Sequence, residues 1–281
     1  MAAMVFRSLA STDEASDGAG DIDRLELLSL AEKAATAAAV LIRGSEMAIE
    51  PRQKESGEGL VTTLDRAVEE CIREEIAASR PDDSFFGEEL PSLSGRSAIR
   101  WIVDPIDGTN NFIAGLPHWS ISIAARSQRG IEVGVVDAPA LEQRYTARVG
   151  GGVRLNGRRL TTRLGPTPDL VDAVVATGFA SDGAAREVQM KQLDRVLGAV
   201  RDVRCHGAAS LELCCVASGQ LDAYFESHLR IWDVAAAGLV ATEAGLHISG
   251  QPWSDTGTLV VAPPALADKL RGLVDPRDSH G

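Results

Sequence analysis

Aromatic residues are scarce in this chain: six Phe, four Trp and two Tyr make up 4% of its 281 residues. With so few large rings, Ala, Val, Leu and Ile must fill the core, and the length suffices for one large domain or two closely packed halves. Cysteine is sparse as well. Cys71, Cys205, Cys214 and Cys215 form no Cys-x-x-Cys pair and no zinc-like cluster with His. The adjacent Cys214 and Cys215, inside the apolar stretch LELCCVASG, read as small hydrophobes, and reduced thiols fit a cytoplasmic protein. No apolar run approaches the roughly 18 to 20 residues that span a bilayer. Positive charge is in deficit: 28 Lys and Arg against 40 Asp and Glu leave a formal charge of -12, with no basic cluster. That disfavours nucleic acid or an anionic membrane as a partner. A phosphorylated small molecule stays open, because a bound cation inverts the field of an acidic pocket.

The first twenty residues, MAAMVFRSLASTDEASDGAG, have too short an apolar core and too many acids for a signal peptide. Residues 1–22 and 275–281 are expected to be disordered tails. Residues 25–42 read as an Ala-rich helix capped by Asp21 or Asp23, with Gly44 beyond its end. The polar, Gly-rich segment 51–59 reads as a mobile loop or hairpin tip, and a second helix with Val68, Ile72 and Ile76 on one face stops near Pro81. Strands are expected at 85–90, 120–125, 131–136 and 143–147, and Asn156-Gly157 marks a tight hairpin. The neighbouring glycines lack the Gly-Lys-Ser/Thr of a nucleotide loop.

From about residue 165 strands and helices alternate: strands at 171–177, 202–205, 222–225, 245–248 and 258–262, helices at 184–199, 208–218, 233–244 and 264–273. Residues 23–160 thus read as an α+β half carrying most of the candidate chemistry, and 161–274 as an α/β half closing over it.

The densest chemistry lies in IRWIVDPIDGTNNF, residues 99–112. A buried apolar strand is expected to end at Asp104, Pro105, Ile106, Asp107, Gly108 and Thr109. Two carboxylates three residues apart repel each other unless positive charge sits between them. Pro105 fixes its own φ and Gly108 permits a tight turn, so both acids can face one point. Short rigid acids suit a hard divalent cation such as Mg2+. Thr109 and Asn110 then open a helix whose free N–H groups attract phosphate. Taken alone, the same residues also describe an ordinary strand–turn–helix corner with Asp as turn former and cap. Glu88 and Glu89 alone read as solvated acids in a turn. Asp233, at the start of a nearly all-apolar helix, reads as a cap that can still point into a site.

Three segments, FFGEE, WIVDPIDGTNNF and WDVAAAGLVATEAG, occur in this order with spacings that resemble the inositol monophosphatase family. The resemblance extends to VTTLD, to Lys54 eleven residues before Asp65, to HGAASLEL, and to LDAYFES, whose Glu226 stands seven residues before Asp233; it covers residues 25–270. It implies an α+β fold, the layered αβαβα sandwich of the sugar phosphatases. It also implies lithium-sensitive, Mg2+-dependent hydrolysis of phosphate monoesters with two or three ions, and a homodimer. By the resemblance, Glu88, Asp104 and the Ile106 carbonyl would hold one ion, and Asp104, Asp107 and Asp233 a second, with a third reached from Glu88 through water. Asp65 and Thr109 would orient or deprotonate the attacking water. The N–H groups of Gly108 and Thr109 would receive phosphate oxygens, with Asp107 and Asp233 beside the substrate. Glu226 and the backbone near Ala209 would meet its alcohol part.

Two positions depart from the family pattern: Ala208 and Asn110 stand where Ser or Thr is usual. Lys54 can reach the site if its loop closes, or remain a solvated loop lysine. His206 and His228 flank matched segments as possible substrate contacts, whereas His247 reads as structural. Inositol-1-phosphate or a similar cyclitol phosphate is the favoured substrate, from WDVAAAG and the acid seven residues before its Asp. VDAPALEQRYTARVGGG and Trp119 are similar to the histidinol-phosphate branch. Two other classes stay open: a non-catalytic partner in a transcription complex, as some relatives are, and a nucleotide-binding module with incidental acids.

Overall fold

The structure, a computed structural model, describes residues 23–45, 52–53, 60–161, 167–250 and 257–275. The expected tail at 1–22, the expected tail at 275–281 apart from Asp275, and Lys54 in its loop lie outside the described residues. Of that loop's flanks, β1 (Arg52–Gln53) and β2 (Leu60–Val61) pair antiparallel.

Helix α1 (Arg24–Gly44) starts at Asp23, whose carboxylate accepts the N–H groups of Leu25 and Glu26. Ala31, Ala34, Ala35 and Ala38 recur at helical spacing and are fully buried. Helix α2 (Thr63–Ala77) opens with a capping box between Thr62 and Asp65 and buries Val68, Ile72 and Ile76 on the expected face. Both helices lie on one face of a seven-stranded sheet of order β3-β4-β5-β6-β7-β8-β9. Its strands are β3 (Ser84–Gly87), β4 (Arg100–Asp107), β5 (Ser120–Ser127), β6 (Gly130–Ala138), β7 (Gln143–Arg148), β8 (Gly152–Leu155) and β9 (Arg158–Arg159). The β8–β9 hairpin turns at Asn156-Gly157, both with positive φ, as expected.

After a 3-10 turn (Leu170–Asp172), a second sheet has the order β11-β10-β12-β14-β13. It comprises β10 (Val174–Thr177), β11 (Asp202–Arg204), β12 (Ala223–Ser227), β13 (His247–Ser249) and β14 (Thr258–Ala262). Helices α5 (Ala209–Ser218) and α6 (Ile231–Glu243) fill the space between the two sheets, and one apolar cluster runs from Ile102 through Cys214 and Ala237 to Val261. Helices α4 (Gly183–Leu197) and α7 (Pro264–Val274) cover the outer face of the second sheet. A five-residue helix, α3 (Thr109–Ile113), follows β4. The five layers are those of the expected αβαβα sandwich. Among the described residues, no helix is long and apolar enough to cross a membrane.

Several expected bounds are corrected, beginning with the strand expected at 85–90, which spans Ser84–Gly87 and leaves Glu88 and Glu89 beyond its end. The strand expected from residue 171 begins at Val174, because Leu170–Asp172 close a 3-10 turn first. The strand before the paired acids does not end at Asp104 but runs through Asp107, with a register shift on the way.

Small residues let the layers approach. A methyl on Gly134 of β6 would stand 2.7 Å from the Ala236 carbonyl oxygen and 2.9 Å from its Cα, so the helix backbone rests directly on the strand. Gly134→Ala should therefore destabilise the protein by about 1–3 kcal/mol in chemical denaturation, as overpacking does.

Candidate active site

The register shift in β4 decides where the acids point. Asp104 pairs with Ser122 of β5 and Asp107 with Ser120, so three steps along β4 face two along β5. In an unbroken strand, residues three apart face opposite sides. The extra residue resets the alternation: Ile102 packs between the sheets, whereas Ile106 packs with Trp101 and Val103 under α1 and α2. Pro105 has no N–H to lose, and the Ile106 N–H donates to Asp104 Oδ1 at 3.0 Å, fixing the bend. Asp104 and Asp107, 2% and 7% exposed, thus share the face toward α5 and α6.

The serines opposite them bind the starts of those helices. Ser122 Oγ donates to the Trp232 carbonyl at 3.2 Å, and the Trp232 ring rests on Phe86 with centroids 5.4 Å apart. This draws the first turn of α6, and with it Asp233, toward Asp104. Asp233 is the third residue of α6 rather than its cap, and its Oδ2 accepts the Arg230 N–H at 2.6 Å. Ser120 Oγ meets Ser210 Oγ at 2.8 Å, and both the N–H and the hydroxyl of Ser210 donate to Asp107 Oδ2, at 2.8 and 2.6 Å. Ala208 sits at the N-cap of α5 with no side-chain bond to offer. The carboxylate that a local cap would supply comes instead from Asp107, about a hundred residues away in sequence.

Glu88 follows the last residue of β3. Gly87 is abreast of Val103, and the Glu88 N–H donates to the Val103 carbonyl at 3.2 Å, so Glu88 stands beside Asp104. A residue that the sequence reading missed holds this segment. Glu69, fully buried on α2, accepts the N–H groups of Glu89 at 2.7 Å and Leu90 at 3.2 Å. A methyl on Gly87 would stand 2.0 Å from Glu69 Oε1, which explains the glycine before the two acids. The available signal was its spacing, one turn after Asp65 on the buried stripe of α2.

Asp65, 1% exposed, spends Oδ2 on the Thr62 N–H at 2.9 Å and hydroxyl at 2.5 Å, and Oδ1 faces Thr109 Oγ1 at 3.3 Å. The Thr109 hydroxyl also lies 3.0 Å from the Ile106 carbonyl oxygen. Gly108, with φ +89°, turns the chain between them; a methyl there would meet the His118 carbonyl and Ala208 Cβ at 3.0 and 3.1 Å. Asn110 is exposed, while Asn111 Nδ2 donates to the His118 and His206 carbonyls, at 2.7 and 2.5 Å. Glu226 lies over Gly178 and accepts the Tyr224 hydroxyl. Ala209 is the first residue of α5, beside Ser210. His228, in the left-handed region with φ 65°, has its ring on Ser227 Oγ. His247 lies on the edge strand β13.

Burial pushes the Asp107 carboxyl up to about 6; the two Ser210 bonds oppose this and the nearby Glu88 and Glu212 add to it. Burial raises Glu226 well above the carboxylate range; the Tyr224 hydroxyl works against this, and Glu212, Asp233 and Asp107 reinforce it. Acids gathered this way in low dielectric, on rigid strand ends and helix starts, have the oxygen chemistry that suits a hard divalent cation. Among the described residues, no three His, Cys, Asp or Glu side chains close into a formed ligand sphere.

At the rim, the His118 and His206 rings stack with centroids 4.7 Å apart, and His206 Nδ1 meets Glu212 Oε1 at 3.1 Å. The bond to Glu212 raises the His206 pKa, while burial lowers that of His118. A raised imidazole pKa stabilises the fold fully below about pH 6.5, and the contribution disappears as pH rises through the folded value. His206→Asn should therefore lower the melting temperature more at about pH 6 than at about pH 9, measured against the parent at each pH.

The sequence pattern that defines the inositol monophosphatase family matches residues 23–277. An inositol-1-monophosphatase of Rhizobium meliloti is 41% identical over 221 residues, 76% of this chain and 82% of that protein. The Nus factor SuhB of Pasteurella multocida is 38% identical over 222 residues, 77% of this chain and 82% of that protein. The extragenic suppressor protein suhB of Bartonella henselae superposes with a TM-score of 0.80 at 30% identity, covering 89% of this chain and 99% of that one. The five layers, the acid-lined face between the sheets and these matches agree, and the chain belongs to the inositol monophosphatase family.

Proposed function

We propose that this chain hydrolyses phosphate monoesters with Mg2+, and that inositol-1-phosphate or a similar cyclitol phosphate is its substrate. The observation that carries the reading is the bulge in β4, which turns Asp104 and Asp107 to one side, beside Glu88 and facing the start of α6. Family membership and the relatives named inositol-1-monophosphatase support it.

Glu88, Asp104 and the Ile106 carbonyl would hold one ion, and Asp104, Asp107 and Asp233 a second. Bound there, the ions would offset phosphoryl charge and lower the pKa of a water. Thr109, donating toward Asp65, keeps a lone pair for the attacking water and orients it; Asp65 is the acceptor for its proton. The Gly108 and Thr109 N–H groups meet the phosphate oxygens, and Glu226 with the first turn of α5 meets the alcohol. Phosphoryl transfer needs positioning and charge more than covalent help, so water attacks in line and no phospho-enzyme forms. The homodimer, the lithium sensitivity and the cytoplasmic setting implied by the resemblance belong to the same reading.

A panel of phosphate esters with and without Mg2+ tests this. Inositol-1-phosphate should give the highest kcat/KM, Asp104→Asn should abolish turnover, and Mg2+ at about 100 times its Kd should stabilise the parent by about 2.7 kcal/mol. A roughly tenfold preference for histidinol phosphate would make that ester the substrate instead, a difference of about 1.4 kcal/mol. Relatives named Nus factor SuhB favour a second reading, a binding role independent of catalysis. Full rescue of a cellular phenotype by Asp104→Asn would establish it.

A further inference from the structure

Asp107 does not meet the pocket with both oxygens on equal terms. The Ser210 N–H and hydroxyl both fall on Oδ2, so Oδ1 is the oxygen available to a cation. The hydroxyl has one proton, and an ionised carboxylate can only accept, so Ser210 Oγ donates to Asp107 and receives the Ser120 proton. Ser120 and Ser210 are both fully buried, and Ser120 is the register partner of Asp107 across β4 and β5. No local element requires either hydroxyl. Ser120 lies within a strand whose neighbours Ile121 and Ile123 are core residues, and α5 would form its first turn equally well with Ala at 210.

We infer that Ser210, backed by Ser120, is a positioning residue for the cation site. The two-hydroxyl relay locks the Asp107 carboxylate in rotation, so that Oδ1 alone is presented to the ion, and holds it against the start of α5. The inference rests on the cation reading of Asp107 proposed above. Partners of this kind fix the orientation of a ligating group, and their loss costs roughly 10–100-fold in metal affinity. Because Ser120 acts only through Ser210, its effect must vanish once Ser210 is gone, which a residue that merely filled space would not do.

Mg2+ binding by titration calorimetry on the full chain, with no substrate present, separates these roles. Ser210→Ala should weaken Mg2+ about tenfold, Ser120→Ala about threefold, and the double variant no more than Ser210→Ala alone, whereas Ser210→Thr should retain most of the affinity. Should Ser210→Ala fail to fold, the threefold loss in Ser120→Ala carries the test. Asp107→Asn is the control. If it abolishes binding while both serine variants stay within about twofold of the parent, the relay is refuted and the cation site stands. If Asp107→Asn leaves Mg2+ affinity intact, the cation reading falls, and the relay with it.

Discussion

Carboxylates cannot be crowded into low dielectric without an answer to their charge, and this constraint organises the protein around β4. The answer has two parts. One is built in: the starts of α5 and α6 are aimed at the acids, and backbone N–H groups and hydroxyls take up carboxylate oxygens. The other, in the function proposed above, would be a divalent cation held among the acids. Asp107 shows the balance, since burial still lifts its pKa to about 6 against two strong bonds from Ser210.

The arrangement repeats. On β5, Ser120 and Ser122 stand at alternate positions and face the same side. Each is opposite one aspartate of β4 and each is bonded to the start of one helix, Ser120 to α5 and Ser122 to α6. The middle layer is thereby keyed to the acids, and the second sheet, packed on its far side, contributes Glu226. Glu69 performs the same service from below, gripping the Glu89 and Leu90 backbone so that Glu88 lies beside Asp104. The site is a set of strand ends and helix starts whose mutual placement is fixed by buried polar bonds, as a constellation that must hold its geometry requires.

Much of this was legible in the chain. The alternating pattern after residue 165, the Ala-rich face of α1 and the hairpin at Asn156-Gly157 follow from local periodicity and turn chemistry, which depend on near neighbours only. The order of FFGEE, the Asp104–Thr109 segment and the α6 motif named the acids. What stayed hidden depends on partners far away in sequence. The β4 bulge exists only in register with β5, so the strand was expected to stop at Asp104. Ala208 reads in the sequence only as a departure from the family pattern, because the carboxylate that replaces its cap, Asp107, is on another layer. Glu69, Ser120 and Ser210 are unremarkable polar residues until the fold sets each against a carboxylate or the backbone beside one.

In the proposed function, the bulge in β4 would turn Asp104 and Asp107 into ligands of neighbouring cations. Anomalous diffraction from crystals grown with Mn2+ in place of Mg2+ would locate them. At least two manganese peaks are expected on the face of β4 toward α5 and α6, within ligand distance of Asp104 and Asp107. Manganese bound away from β4, or none within ligand distance of Asp104, would contradict this reading.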